Sequence, residues 1–207
     1  MKDTPQRILD TARELFNQQG LYRVGVRDVA RAAGISVGNL AYHFATRDDL
    51  VAALVTELHE CNQRSIFHTL PEDFSLVSLY LAAVGAMRNM LSYRFVLLSY
   101  IDAVSSSPQL QKFEAELAVR RRERHRIMLS ALVRGGHVER RVRSRSDTLY
   151  EQSSMISSGW LAHASLRGMS DQAAVLHFAK LGCALLEPYC TPRGRRQLHH
   201  IQRGDHD

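Results

Sequence analysis

Residues 26–44, VRDVARAAGISVGNLAYHF, place a Gly-Ile-Ser turn between two stretches with helical apolar spacing. Neither stretch reaches the ~12–15 residues at which an isolated helix becomes marginally stable in water. Each must therefore draw stability from a neighbour, and a packed helical unit supplies it. In the first stretch Val29 and Ala33 fall inward and Gly34 ends the helix. Ser36 then caps a second helix, Val37 to Phe44, whose Leu40 and Phe44 lie four apart and face inward. Val37, Gly38, Asn39, Tyr42 and His43 are left for another surface.

The packing surface comes from the segment before it. Thr4-Pro5 opens a helix, Ile8, Leu9, Ala12, Leu15 and Phe16 recur at helical spacing, and Gly20 closes it. A long helix followed by two short ones around a tight turn is a helix-turn-helix unit. Beyond residue 46 the periods lengthen. Residues 47–70 carry Leu50, Leu54, Leu58 and Cys61 on one face before Pro71, and further helices are expected at 75–91, 94–106, 109–134, 146–167 and 171–190. No stretch alternates as a strand does. The expected fold is all-α: a three-helix head over residues 1–46, a larger bundle over 47–191 and a disordered tail over 192–207. That makes about nine helices in all.

The net charge of +6 suits a polyanionic partner without establishing one. Residues 1–50 hold seven Arg or Lys against six acids, so the head is nearly neutral. The basic blocks lie elsewhere, at 120–126, 139–145 and 193–200. The first, RRRERHR, is read as a solvated helix face rather than a cationic pocket. Cys61, Cys183 and Cys190 lack metal-type spacing and are read as buried free thiols. Cys183 and Cys190, assigned to one helix, would stand roughly 10 Å apart along it, too far for a disulfide. No metal site and no cofactor are expected. The apolar runs are too short for a membrane span, and no leader peptide is visible ahead of the first helix, which makes the cytoplasm the expected compartment. No nucleophile elbow, phosphate loop or spaced metal ligands point to an enzyme.

The run VRDVARAAGISVGNLAYHFATRDDLVAAL, residues 26–54, resembles the DNA-binding signature of the TetR family of bacterial transcriptional regulators. The matching features are A-x-x-A-G before the turn and S-x-G-x-L opening the next helix. An aromatic-His-Phe follows, and then a basic residue ahead of D/E-x-L. The resemblance implies a homodimer whose heads read the halves of a palindromic operator on double-stranded DNA. It also implies a bundle that binds a small-molecule effector and dimerises through its last two helices, so that effector binding releases a repressor from DNA. Two positions depart from the pattern: Ala41 replaces the usual tyrosine, and Gly25 replaces a capping Thr or Ser. The alternative is a helical small-molecule-binding protein with weakened DNA recognition.

On this reading Arg27, Tyr42, His43 and Arg47 position the head on phosphates, Ser36 caps the recognition helix, and Val37, Gly38 and Asn39 read bases. Met87, Met90, Tyr93, Phe95, Tyr100, Met155, Trp160 and His163 are candidates for the effector pocket, being soft, aromatic or singly polar. Leu161, Phe178, Leu181, Gly182 and Leu185 are candidates for the dimer interface.

Overall fold

The computed structural model describes residues 4–67 and 74–204 and is all-α. Ten α-helices occur among the described residues: α1 (Thr4–Gln19), α2 (Val26–Ala32), α3 (Val37–His43), α4 (Arg47–Phe67), α5 (Leu76–Leu91), α6 (Arg94–Ser106), α7 (Pro108–Arg134), α8 (Ser146–Leu166), α9 (Asp171–Ala184) and α10 (Pro192–Arg203). No described helix is long and apolar enough to cross a membrane. The segment around Pro71 lies outside the described residues.

Two compact units emerge, and neither follows the expected division at residue 46. The first joins residues 1–61 to 92–115; the second joins 62–91 to 116–207. Two of the three boundaries fall inside α4 and α7, so both helices run from one unit into the other, and the third lies between α5 and α6. In the first unit, Ile8, Ala12 and Phe16 of α1 are buried with Val29, Ala30, Leu40, Leu50 and Leu54. Helix α6 belongs here because α1 holds its start. Asn17 accepts from the Phe95 amide at 3.1 Å and donates to the Ser92 carbonyl at 2.9 Å, and the Phe16 and Phe95 rings lie 5.3 Å apart.

In the second unit α5 packs on α9, α9 on α8, and α10 on both α5 and α9. Its core includes Leu76, Tyr80, Val84, Trp160, Leu161, Ala174, Val175 and Phe178.

Residues 192–203, expected to be disordered, form a helix with a built N-cap. The Thr191 hydroxyl accepts from the Gly194 amide at 3.1 Å and donates to the Gly136 carbonyl at 2.7 Å. Gly194, Leu198 and Ile201 form a buried stripe at spacings of four and three. Only a glycine fits the first of these positions, because a Cβ on Gly194 would overlap the His137 carbonyl. Gln197 Oε1 accepts from the Leu76 amide at 3.2 Å, so α10 caps the free end of α5. The positive charge of this segment is carried outside a docked helix, and docking replaces disorder.

A second correction concerns the cysteines. Helix α9 ends at Ala184 and a 3-10 turn at Glu187–Tyr189 follows, so Cys190 is not on the helix of Cys183. Cys190 instead bridges to Val138. All three thiols are free, with Cys183 and Cys190 buried and Cys61 half-buried. Burial pushes the Cys183 thiol up to about 12, which makes it chemically quiet.

Candidate nucleic-acid interface

The turn between α2 and α3 is built from hydrogen bonds within the segment. Gly34 sits in the left-handed region at φ 67°. Its amide donates to the Arg31 carbonyl at 3.2 Å while the Ile35 amide donates to Ala30 at 3.0 Å, a Schellman closure of α2. Ser36 is extended at ψ 152°, and its hydroxyl accepts from the Asn39 amide at 3.1 Å. At the other end of α2, Gly25 offers no hydroxyl. Asp28 compensates in part by accepting from the Gly25 amide at 3.0 Å.

Leu40 is fully buried and fixes which side of α3 faces the core. Phe44 ends the helix and is half-buried, as is Ala33. The opposite side is open: Ser36, Val37, Gly38, Asn39, Ala41 and Tyr42 are exposed. Tyr42 is 86% exposed, far beyond what a packing role needs, and its ring meets the half-buried His43 edge-on at 5.0 Å. Arg27 is exposed on α2. Arg47 is half-buried, 3.7 Å from Asp48, with its guanidinium 5.7 Å from the Tyr22 ring centre. Tyr22, which the sequence did not single out, is half exposed beside Arg47 in the connector LYRVG, between the buried Leu21 and Val24.

The head's neutrality hides a segregation of charge. Four of its six acids are engaged in structural contacts: Asp28 caps α2 and lies 3.5 Å from Arg31, and Asp10 accepts from Arg13 at 3.0 Å. Asp48 accepts from Ser107 at 2.6 Å. Asp49 forms a reciprocal cap with Thr46 and accepts from Gln109 at 2.7 Å. Burial pushes the Asp49 carboxyl up, but the bonds from Gln109 and Thr46 outweigh this and hold it below its ordinary value. Arg23, Arg27 and Arg31 remain exposed.

The effector-pocket candidates are divided between the two units. Tyr93, Phe95 and Tyr100 belong to the first unit and are used there. The Tyr93 hydroxyl accepts from Arg13 at 3.2 Å, Phe95 packs on Phe16, and Tyr100 donates to Glu114 at 3.1 Å. In the second unit Met87 and Trp160 are buried and Met90 is half-buried, with Ser157 Oγ 4.0 Å from the Met90 sulfur. The Trp160 indole Nε1 is buried without a hydrogen-bond partner. Met155 and His163 are exposed, because α8 turns them away from the side that carries Trp160, Leu161 and Ala164. Of the dimer candidates, Leu161 and Phe178 are buried within their own unit, Gly182 and Leu185 are half-buried, and Leu181 is exposed.

Comparison with known proteins places this geometry. Residues 8–54 match the model described as bacterial regulatory proteins of the tetR family, and residues 62–198 match that of a bacterial transcriptional repressor, TetR. The chain is 39% identical over 61 residues to the HTH-type transcriptional regulator AcrR of Shigella flexneri, covering 30% of this chain and 28% of that one. The matched segment thus spans under half the length of that curated relative. A TetR-family regulator from Marinobacter aquaeolei VT8 superposes with TM-score 0.79 over 98% of both chains at 21% identity, a likeness of fold. The SmeT–triclosan complex superposes with TM-score 0.67 over 92% of this chain and 93% of that one, at 15% identity.

Proposed function

The chain belongs to the TetR family of bacterial transcriptional regulators, and from that premise we propose a homodimeric repressor that a small-molecule effector releases from a palindromic operator. The observation that carries this reading is the two-sided α3: Leu40 is fully buried while Val37, Gly38, Asn39 and Tyr42 are exposed opposite it. Asn39 pairs with an adenine edge, a contact worth roughly 1–3 kcal/mol of discrimination. Val37 packs on a thymine methyl, and Gly38 lets the backbone approach. Arg27, Tyr42, His43 and Arg47 bind phosphate oxygens and fix the register. With Ala41 in the family's tyrosine position, the adjoining exposed Tyr42 takes over that contact.

Dimerisation falls to the outward faces of α8 and α9. Met155, Leu166 and Leu181 are exposed there, whereas Leu161 and Phe178 support the interface from within. The effector binds in the second unit near Met87, Met90 and Trp160. The unpaired Trp160 N–H supports an effector that carries a hydrogen-bond acceptor, since a buried donor without a partner costs stability. That SmeT holds triclosan supports a bundle of this kind taking a small apolar molecule. Helices α4 and α7, which run through both units, are the covalent route from effector to head.

Selection of bound fragments from a random duplex library with the purified protein tests the reading. The expected result is a palindrome with half-site centres about one duplex turn, roughly 34 Å, or more apart. Asn39→Ala should relax one position of each half-site, whereas Tyr42→Ala should weaken all sites alike and Arg47→Ala should also flatten the salt dependence. A stable monomer in solution scattering, or no enrichment from folded dimer, would sink it.

A further inference from the structure

Helix α10 carries six basic side chains outside its buried stripe and no acid: Arg193, Arg195, Arg196, His199, His200 and Arg203. Five of them, all but Arg193, line a recess of about 360 Å³. Arg193 is used structurally, donating to the Gly135 carbonyl at 3.3 Å. Arg195, His199 and Arg203 form one row at four-residue spacing, with Arg196 and His200 beside it.

This arrangement opposes helix stability. Arg193, Arg195 and Arg196 crowd the positive end of the helix dipole, where acids belong. Arg195–His199 and Arg196–His200 set basic residues four apart. Among the described residues no carboxylate forms an ion pair with Arg195, Arg196 or Arg203. On α7, by contrast, Arg122 reaches Glu151 at 2.5 Å and Arg126 reaches Asp147 at 3.0 Å. Docking through Gly194, Leu198 and Ile201 holds α10 helical in spite of its charges. Lys180 adds to this by donating to the Gln202 carbonyl at 3.1 Å. A face that costs stability and leaves three guanidiniums without a carboxylate among the described residues is the local conflict expected of a binding surface.

We propose that the outer face of α10 binds a small soluble polyphosphate, such as a nucleoside triphosphate or inorganic tripolyphosphate. Guanidinium groups match phosphate oxygens through paired N–H donors. Arg195 and Arg203 stand about 12 Å apart along the axis, so a chain of phosphoryl groups lying between them meets both with less convergence of the side chains than a single phosphate requires. Duplex DNA is the competing polyanion, and displacement of tripolyphosphate by it distinguishes the two. A bilayer fits less well: Leu198 and Ile201 are buried inward, leaving α10 no apolar residue to insert.

The test is titration calorimetry of the full chain with sodium tripolyphosphate. Saturable binding at about one per chain is expected, with orthophosphate at least roughly tenfold weaker. Arg195→Glu/Arg203→Glu should weaken tripolyphosphate at least about tenfold, whereas Arg120→Glu/Arg145→Glu, the same charge change on α7 and beside α8, should stay within about twofold. Arg195→Gln/Arg203→Gln, checked for native helicity by circular dichroism, separates lost binding from lost folding. Equal losses in both double reversals, or equal affinity for orthophosphate, would overturn the site. So would displacement of tripolyphosphate by a lower concentration of random-sequence duplex or of anionic vesicles. The measurement uses neither operator nor bundle effector, so its failure would leave the regulator reading intact.

Discussion

Helices α3 and α10 share a plan. Each is short, each has a hydroxyl at its N-cap, and each hides a narrow apolar side and presents the rest to solvent. Their outer faces differ in kind. On α3 the exposed residues from Val37 to Tyr42 vary in shape and none is charged, whereas the face of α10 is arginine and histidine. The first can tell one base pair from another through edge contacts; the second can only count and space negative charge. They are also held differently. The turn, cap and buried leucine of α3 lie within a run of ten residues, while α10 rests on partners 55 to 121 residues away, Gly136 and Leu76. Perturbing each support in turn should expose that difference.

The largest effect belongs to Leu40→Ala. Truncating a fully buried leucine costs about 2–5 kcal/mol. Because α3 is seven residues long, the loss should abolish operator binding while leaving α10's binding of tripolyphosphate unchanged. Denaturant melts and gel-shift titrations of the same preparation check both halves. Simultaneous loss of both activities would show that the two helices share one cooperative unit.

Acid should act on the two units at different pH. In the second, burial pushes His125 of α7 down to about 4 despite the nearby Asp147. Its Nδ1 is buried without a partner and its ring faces Tyr150 at 5.9 Å, under the guanidinium of Arg122. The unfolded chain takes up this proton near pH 6.5 and the folded chain only near 4. Between those values the unfolded state binds more protons, so stability falls as pH drops through that window. The expected loss between pH 7 and pH 5 is on the order of 2 kcal/mol, read from denaturant unfolding, and His125→Gln should flatten the slope. In the first unit the lowered carboxyl of Asp49 gives a contribution that persists above the ordinary carboxylate range and is lost only below it.

Gly194→Ala addresses α10 alone. The added methyl must displace the His137 carbonyl or lift the helix, at about 1–3 kcal/mol. Tripolyphosphate binding should weaken along with stability, while operator affinity of the folded protein should hold.

What could be read in the sequence follows the same division. The head was legible because Gly34, Ser36 and Leu40 act on their immediate neighbours, and the long helices because their apolar periods are local too. Residues 192–203 read as a tail because the three residues that matter, Gly194, Leu198 and Ile201, are outnumbered by charge. Their spacing of four and three was the available sign of a helix, but the reason a glycine is needed lies at His137, far away in sequence. The same limit explains the pocket candidates. Composition marked Tyr93 and Phe95 as suitable linings, yet whether they face a cavity or α1 depends on Arg13 and Phe16, which no local pattern connects to them. On α8, Trp160 and His163 are three apart, and small differences in helix rotation decide that one is buried and the other exposed.

The smallest predicted difference is the sharpest test of local against distant support. Ser36→Ala removes one acceptor, from the Asn39 amide, and should cost about 1 kcal/mol, the usual worth of an N-cap. Thr191→Ala removes the equivalent acceptor from Gly194 and also the donor that the Gly136 carbonyl uses at 2.7 Å. It should cost that amount plus a hydrogen bond between segments, about 2 kcal/mol altogether. Thr191→Ser keeps both functions and should recover most of the loss, with the missing methyl as the only change. Equal costs for the two alanine variants in denaturant melts would mean that α10 is held by its apolar stripe and by the bonds of Gln197 and Lys180. The bond to Gly136 would then be incidental, and the two helices would be supported more alike than their hydrogen bonds suggest.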